Sequence, residues 1–122
     1  KYCWFYGSAY KEEEIGNLIY NSDLCVSPGN VGLTAIHSLM YGTPVLTHDN
    51  FSKQMPEFES IQKGYTGDFF MENNIEDMNE KAKNWLMRNE TKRDGIRENC
   101  FKVVDDNFNP SYQIEVFKKE LL

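Results

Sequence analysis

The sequence predicts an α/β domain, three layers deep, with a parallel sheet of about four strands and helices at its C-terminal end. Three observations predict it. Short apolar runs alternate with segments of helix length. Those runs are apolar nearly throughout, as expected of parallel strands buried on both faces. The length of 122 residues fits one domain with one core. Crossovers between parallel strands are right-handed, which gives a Rossmann-like layered arrangement.

The elements follow in order. Cys3-Trp4-Phe5-Tyr6 is the first strand candidate, closed by Gly7. Residues 11–21 read as a helix. Ile15, Leu18 and Ile19 form its apolar stripe, and Glu12, Glu13 and Glu14 enrich its first turn. Leu24-Cys25-Val26-Ser27 is the second strand, stopped by Pro28-Gly29. Residues 32–41 form a helix ended by Gly42 at a C-cap position. Pro44-Val45-Leu46-Thr47 is the third strand. Residues 51–61 hold a short helix or turn broken around Pro56, and Gly67-Asp68-Phe69-Phe70 is the fourth strand. Helical periods then dominate. Residues 75–89 carry Ile75, Met78, Ala82, Trp85 and Leu86, and residues 91–106 carry Ile96, Cys100, Val103 and Val104. Asn109-Pro110-Ser111 breaks the chain before a last amphipathic helix, 111–121, with Ile114, Phe117 and Leu121 on one side.

Composition narrows the function classes. Thirteen basic against 19 acidic residues give a net charge of −6, which argues against a nucleic-acid partner. The 14% aromatic share excludes a disordered chain. No apolar run approaches the ~18 residues of a membrane span. Cys3, Cys25 and Cys100 are too few and too widely spaced for a disulfide framework or a zinc site. Cys3 and Cys25 lie in apolar runs, so reduced buried thiols and a cytoplasmic setting are expected. Arg88, Arg93 and Arg97 fall in one stretch, read as a solvated helix face rather than an anion site.

Ligands in such sheets bind outside the carboxyl ends of the strands. The loops of interest are 7–10, 27–32, 47–54 and 71–74. The most informative stretch is residues 27–47. A strand ends at Ser27, and a loop with Pro28, Gly29 and Gly32 turns directly into a helix. Glycines let the backbone approach a ligand, and a helix start offers free N–H groups at the positive end of its dipole. Phosphate or diphosphate is the natural guest, although ordinary packing explains such a loop as readily. It is neither a P-loop nor a dinucleotide fingerprint. Leu33, Ile36 and Met40 are expected to face the sheet. Asn30, Thr34, His37 and Tyr41 recur on a second, polar face. His37 lies within reach of a ligand at the helix start, or is a half-exposed helix histidine with no such role. His48-Asp49 follows a strand and reads as a polar loop rather than a metal or acid/base pair. Asp105-Asp106 reads as surface charge, so no metal site is expected.

The stretch P-G-N-V-G-L-T-A-I-H-S-L-M-Y-G-T-P-V, residues 28–45, resembles the donor-binding loop and helix of GT-B fold glycosyltransferases. It is similar to the retaining group with the pattern P-S-x-x-E-G-F-G-L-x-x-L-E-A-M-A-x-G-x-P-V. Phe5-Tyr6-Gly7 with Ile15, Leu18-Ile19-Tyr20 and Ser22-Asp23 resembles the family's F-x-G … L-x-x-x-Y-x-x-A-D run. Met55-Pro56-Glu57 and Gly64-Tyr65-Thr66-Gly67 resemble its I-P-E-x-x-x-x-G-x-x-G stretch. The likeness covers roughly residues 3–105.

The resemblance implies a donor-binding domain that takes a UDP- or GDP-linked sugar, needs no further cofactor, and passes the sugar to a polysaccharide or glycolipid acceptor. It implies diphosphate contacts from the backbone at Val31, Gly32, Leu33 and Thr34. It implies a base pocket framed by Gly7, Ser8 and Ala9, where a simple strand-to-helix turn is the other reading. Gly29, Asn30 and His37 complete the implied donor site. The family's two glutamates, spaced E-x7-E, are Gly29 and His37 here. A neutral imidazole accepts one ribose hydrogen bond but does not grip two hydroxyls as a carboxylate does. Catalytic residues and the acceptor site are expected in an N-terminal domain outside residues 1–122, and the isolated piece is expected to bind without turnover. The tail, 107–122, either packs on that other domain or returns to its own sheet. The expected place is cytoplasmic, peripheral at the inner membrane face through the other domain. A sugar-nucleotide epimerase of the same fold and a silent nucleotide-sugar binder are the alternatives. A receiver-type signalling domain is excluded, because Gly7-Ser8 and Ser27-Pro28 stand where its acidic residues belong.

Overall fold

A computed structural model describes residues 2–122. The chain runs α1 (Glu12–Tyr20), β1 (Cys25–Ser27), α2 (Leu33–Met40), β2 (Val45–His48), a 3₁₀ turn (Pro56–Ser60), β3 (Gly67–Phe70), α3 (Ile75–Arg88), α4 (Arg93–Asn107) and α5 (Pro110–Leu121). The sheet is all parallel in the order β1-β2-β3. Cys25 pairs with Val45, and Val45 with Gly67. β2 is the central strand, and all four of its residues are buried. Side chains alternate across a strand, so Val45 and Thr47 take one face and Leu46 and His48 the other. Both faces of β2 are therefore covered. Among the described residues no helix is long and apolar enough to cross a membrane.

The core gathers Val31, Ala35, Leu39, Val45, Ile61, Trp85, Ile96, Cys100, Val103 and Val104. α2 packs on β2, α4 packs on α2, and α3 runs against β3 and β2. The closest approach in the sheet is at Gly67, where a Cβ would sit 1.9 Å from the Val45 carbonyl oxygen. Only glycine lets β3 come this near to β2.

Two arginines of α4 hold the other end of the domain. Arg93 donates to the carbonyls of Gly42 at 2.6 Å and Ser22 at 2.7 Å. Arg97 donates to the carbonyls of Tyr41 at 2.8 Å and Tyr20 at 3.1 Å, and its guanidinium lies 3.8 Å from the Tyr20 ring centre. The last carbonyls of a helix have no partners of their own and carry its negative end. α1 and α2 both end here, and α4 satisfies both. The expectation of a solvated arginine face is thus corrected for Arg93 and Arg97; Arg88 stays exposed beside Trp85.

Other expectations are corrected as well. Cys3-Trp4-Phe5-Tyr6 forms no strand here: it lies outside the β1-β2-β3 sheet, and Phe5 is 100% exposed. Cys3 is therefore exposed rather than buried, while Cys25 is half-buried. The buried Cys100 thiol is pushed up to about 12, chiefly by desolvation. The sheet has three strands, not four. On α2 the buried residues are Ala35, Ser38 and Leu39, not the stripe Leu33, Ile36 and Met40. The helix is turned so that Ser38 donates to the Thr43 carbonyl, which leaves Leu33 and Met40 on the outside. On α3, Trp85 is buried but Ile75 and Leu86 are exposed. α5 packs chiefly on α4, and none of its own residues is buried.

Gly67→Ala is expected to lower stability by about 2–3 kcal/mol or more, because backbone must move to admit the methyl. Arg93→Ala leaves several carbonyls without their charged donor, and about 2–3 kcal/mol of loss is expected. Urea unfolding of each variant measures both.

Candidate functional site

The carboxyl ends of the three strands lie at one end of the sheet, and three loops leave from there. A polar network stitches them. Thr47 Oγ1 donates to the Gly29 carbonyl at 3.2 Å. Gln54 reaches across with both ends of its amide. Its Oε1 accepts the Val31 N–H at 2.7 Å, and its Nε2 donates to Thr47 Oγ1 at 3.1 Å and the His48 carbonyl at 3.0 Å. His48, 1% exposed, accepts the Asn50 N–H on Nδ1 at 3.2 Å. Its ring proton therefore sits on Nε2, which meets Asn30 Oδ1 at 2.8 Å. Each ring nitrogen of His48 is committed within the protein.

The loop after β3 joins the same rim. Glu72 accepts from Asn50 Nδ2 at 2.7 Å and from Lys53 Nζ at 3.1 Å. These donors, Asn50 first, hold its carboxyl below the usual range. Asp49 accepts the Glu72 N–H at 3.3 Å. Phe51 stacks on Phe58 and meets Phe69 edge-on, at 4.8 and 4.9 Å between ring centres, which pins the middle loop to the 3₁₀ turn and β3. Asn74 caps α3 by accepting the Asp77 N–H at 2.9 Å.

The start of α2 is left open. The N–H groups of Gly32, Leu33 and Thr34 precede the first bond of the helix, Ala35 N–H to the Gly32 carbonyl at 3.0 Å. Leu33 is 73% exposed and Thr34 is exposed too. Among the described residues no hydrogen bond takes these three amides, which lie at the positive end of the α2 dipole beside the stitched rim. Val31 is different. Its side chain is fully buried and its N–H is already taken by Gln54.

The polar face of α2 is divided between two jobs. Asn30 goes to His48, while His37 and Tyr41 go to α1. His37 Nε2 meets Glu12 Oε1 at 2.7 Å, and the Tyr41 hydroxyl donates to the same oxygen at 2.6 Å. The hydrogen bond from Tyr41, then that from His37, holds the Glu12 carboxyl below its ordinary value, and Glu12 in turn raises the Tyr41 hydroxyl. Gly16 makes room for the Tyr41 ring, since a Cβ there would lie 2.7 Å from it.

The structure thus brings together Gly29, Asn30, Gly32, Leu33 and Thr34 at one loop, with His37 one turn further on. Gly7, with φ +90°, and Ser8 are exposed on the segment before α1, and no hydrogen bond links them to the others. Glu12, Gln54, Asn50 and Glu72 were not singled out from the sequence. Gln54 and Asn50 lie in a loop already marked by its strand end. Glu12 is 25 residues from His37, and no local pattern announces the pair. Among the described residues no three His, Cys, Asp or Glu side chains gather as a metal site. A cavity of about 420 Å³ beside Trp85 and Arg93 and one of about 700 Å³ between Trp4, Tyr6 and α1 lie away from this loop. No family model matches the chain, and searches of curated proteins and of solved structures found no similar protein.

The Glu12 clasp has a defined pH range. A lowered carboxyl contributes stability above its ordinary value of 4.5 and loses it as pH falls. A raised tyrosine contributes below its ordinary value of 10.0 and loses it as pH rises. The contact is therefore expected to loosen on both sides of that window. Carboxyl-carbon NMR titration checks it: Tyr41→Phe is expected to move the Glu12 titration upward, toward 4.5.

Proposed function

We propose that this chain is the donor-binding part of a GT-B fold glycosyltransferase, holding a nucleotide diphosphate sugar whose sugar passes to a polysaccharide or glycolipid acceptor. The observation that carries this reading is the glycine loop after β1. It opens into the free amides of Gly32, Leu33 and Thr34 at the carboxyl end of a parallel sheet. Its likeness to the family's donor loop, and the order of the flanking motifs, support the same reading.

The chemistry required of this domain is recognition of a diphosphate and a ribose. The diphosphate takes the N–H groups at the α2 start, with no metal needed to offset its charge there. The ribose site uses Glu12. The family places a carboxylate directly on this helix, where the present chain has His37. Glu12 reaches His37 from α1 and is fixed through Oε1 by His37 and Tyr41, at 2.7 and 2.6 Å. Its second oxygen remains to accept a hydroxyl, so the clasp restores the lost carboxylate from another element.

A second reading, a nucleotide-sugar binder without transfer, is favoured by Gly29. That position lacks the carboxylate that meets the donor sugar in the family, and no described residue is seen to bring a substitute to it. Loss of this contact alone would leave nucleotide binding intact.

Titration with UDP, GDP and their sugars, followed by amide NMR shifts, tests the proposal. Shifts centred on Gly32, Leu33 and Thr34 are expected, with smaller ones at His37. Glu12→Gln is expected to weaken binding about fivefold, on the order of 1 kcal/mol for one hydrogen bond. No binding of any of these nucleotides at millimolar concentration contradicts the proposal.

A further inference from the structure

The turn between α3 and α4 borders a cleft of about 560 Å³ that shares no residue with the α2 loop. The start of α4 supplies Lys92, Gly95, Ile96 and Asn99, spaced i, i+3, i+4 and i+7, so one stripe of the helix makes one wall. Arg88 and Asn89, at the end of α3, make another, and Gly64 enters from the turn before β3.

The charge of this cleft is the reverse of the chain's. The protein carries −6, yet the charged residues lining the cleft are two cations, Arg88 and Lys92. Lys53, Arg93 and Lys102 each meet a carboxylate, whereas Arg88 and Lys92 meet none among the described residues. Arg88 lies 5.8 Å from the Trp85 ring centre, and among the described residues no hydrogen bond takes its N–H donors. The N–H groups of Arg93, Asp94 and Gly95 precede the first bond of α4, Ile96 N–H to the Lys92 carbonyl at 3.0 Å, and no side chain caps them. The positive end of the α4 dipole therefore adds to the two cations.

Gly95 is the unexpected residue of the wall. Glycine is a poor helix former, and here neither backbone nor packing asks for it. Its φ is not positive, and a Cβ would meet no atom within 4 Å. What glycine provides at this position is bare backbone, which lets an anion come close.

The remaining polar groups suit a ligand larger than a bare anion. Asn89 Nδ2 donates to the Trp85 carbonyl at 2.9 Å, and Asn99 Nδ2 to the Tyr65 carbonyl at 3.3 Å. Both amides are half-buried, and these bonds orient them. Each keeps one N–H and its oxygen without a described partner, a donor and an acceptor that together match hydroxyl groups. The volume is that of a small-molecule site, well beyond what a phosphate ion fills.

We infer that this cleft is an anion site separate from the α2 loop, and that it takes a phosphorylated sugar or polyol. Arg88, Lys92 and the backbone at Gly95 hold the phosphate, and Asn89 and Asn99 hold the hydroxyls. The site uses no residue of the donor loop and does not rest on the function proposed above.

NMR shifts of the full chain test it, during titration with inorganic phosphate and with glucose 6-phosphate at one ionic strength held by sodium chloride. Both are expected to shift Gly64, Lys92, Gly95 and the Asn99 side chain. Glucose 6-phosphate is expected to bind at least about fivefold tighter than phosphate, through its hydroxyl contacts. Replacing both cations, Arg88→Gln with Lys92→Gln, is expected to weaken glucose 6-phosphate at least about tenfold. Gly95→Ala suits the helix better, so it is expected to keep or raise Tm while binding at least about threefold more weakly. Four results would overturn the site. These residues do not shift at tens of millimolar ligand. Sodium chloride alone produces the same shifts. Glucose 6-phosphate binds no tighter than phosphate. Affinity is unchanged in the double variant or in Gly95→Ala. Shifts confined to Gly32, Leu33 and Thr34 also overturn it and leave the donor reading standing, whereas UDP failing at that loop leaves this site untouched.

Discussion

The domain depends on where its helices end. α1 and α2 both present carbonyl ends to one place, at Tyr20, Ser22, Tyr41 and Gly42, and α4 answers with two guanidinium groups. A helix end without partners is costly when shielded from water. Two such ends gathered by one helix convert that cost into a fixed geometry. α2 is then held at both ends, by Arg93 and Arg97 at its C-terminus and by the Gln54 network beside its N-terminus. Gly42, at φ +76°, lets the chain leave α2 directly under Arg97, where a Cβ would meet the arginine stem at 2.2 Å.

The functional end obeys a different rule. Its buried polar groups satisfy one another, as a low-dielectric setting demands. His48 spends both nitrogens on Asn30 and Asn50, and Gln54 spends both amide ends on backbone and Thr47. The rim is therefore preorganised rather than reactive. Among the described residues the three amides at the start of α2 are left without a partner. That division suits recognition of an anion more than proton transfer.

Much of the fold was legible in the sequence, and the failures have physical reasons. β3 was found with its true bounds, Gly67–Phe70, because Gly67 and the aromatic pair mark it from both sides. α2 was placed correctly but turned wrongly. Apolar period alone chose Leu33, Ile36 and Met40, whereas the sheet took the small residues Ala35 and Ser38, with Leu39, because β2 and α4 both approach that face. Cys3–Tyr6 reads as a strand in isolation, yet strand formation needs a neighbour as well as composition. The Gly29–Thr34 loop was legible because glycine spacing and a helix start are local signals. Glu12, the arginine clamp and the Gln54 bond to Val31 were not, since each spans more than twenty residues of chain.

The direct measurement is a crystal structure of the protein grown with UDP. The account predicts diphosphate oxygens within hydrogen-bond distance of the Leu33 and Thr34 N–H groups and a ribose hydroxyl on the free oxygen of Glu12. UDP seated in the cavity beside Trp85, or in the groove between Trp4 and α1, with the α2 start bare, would contradict it.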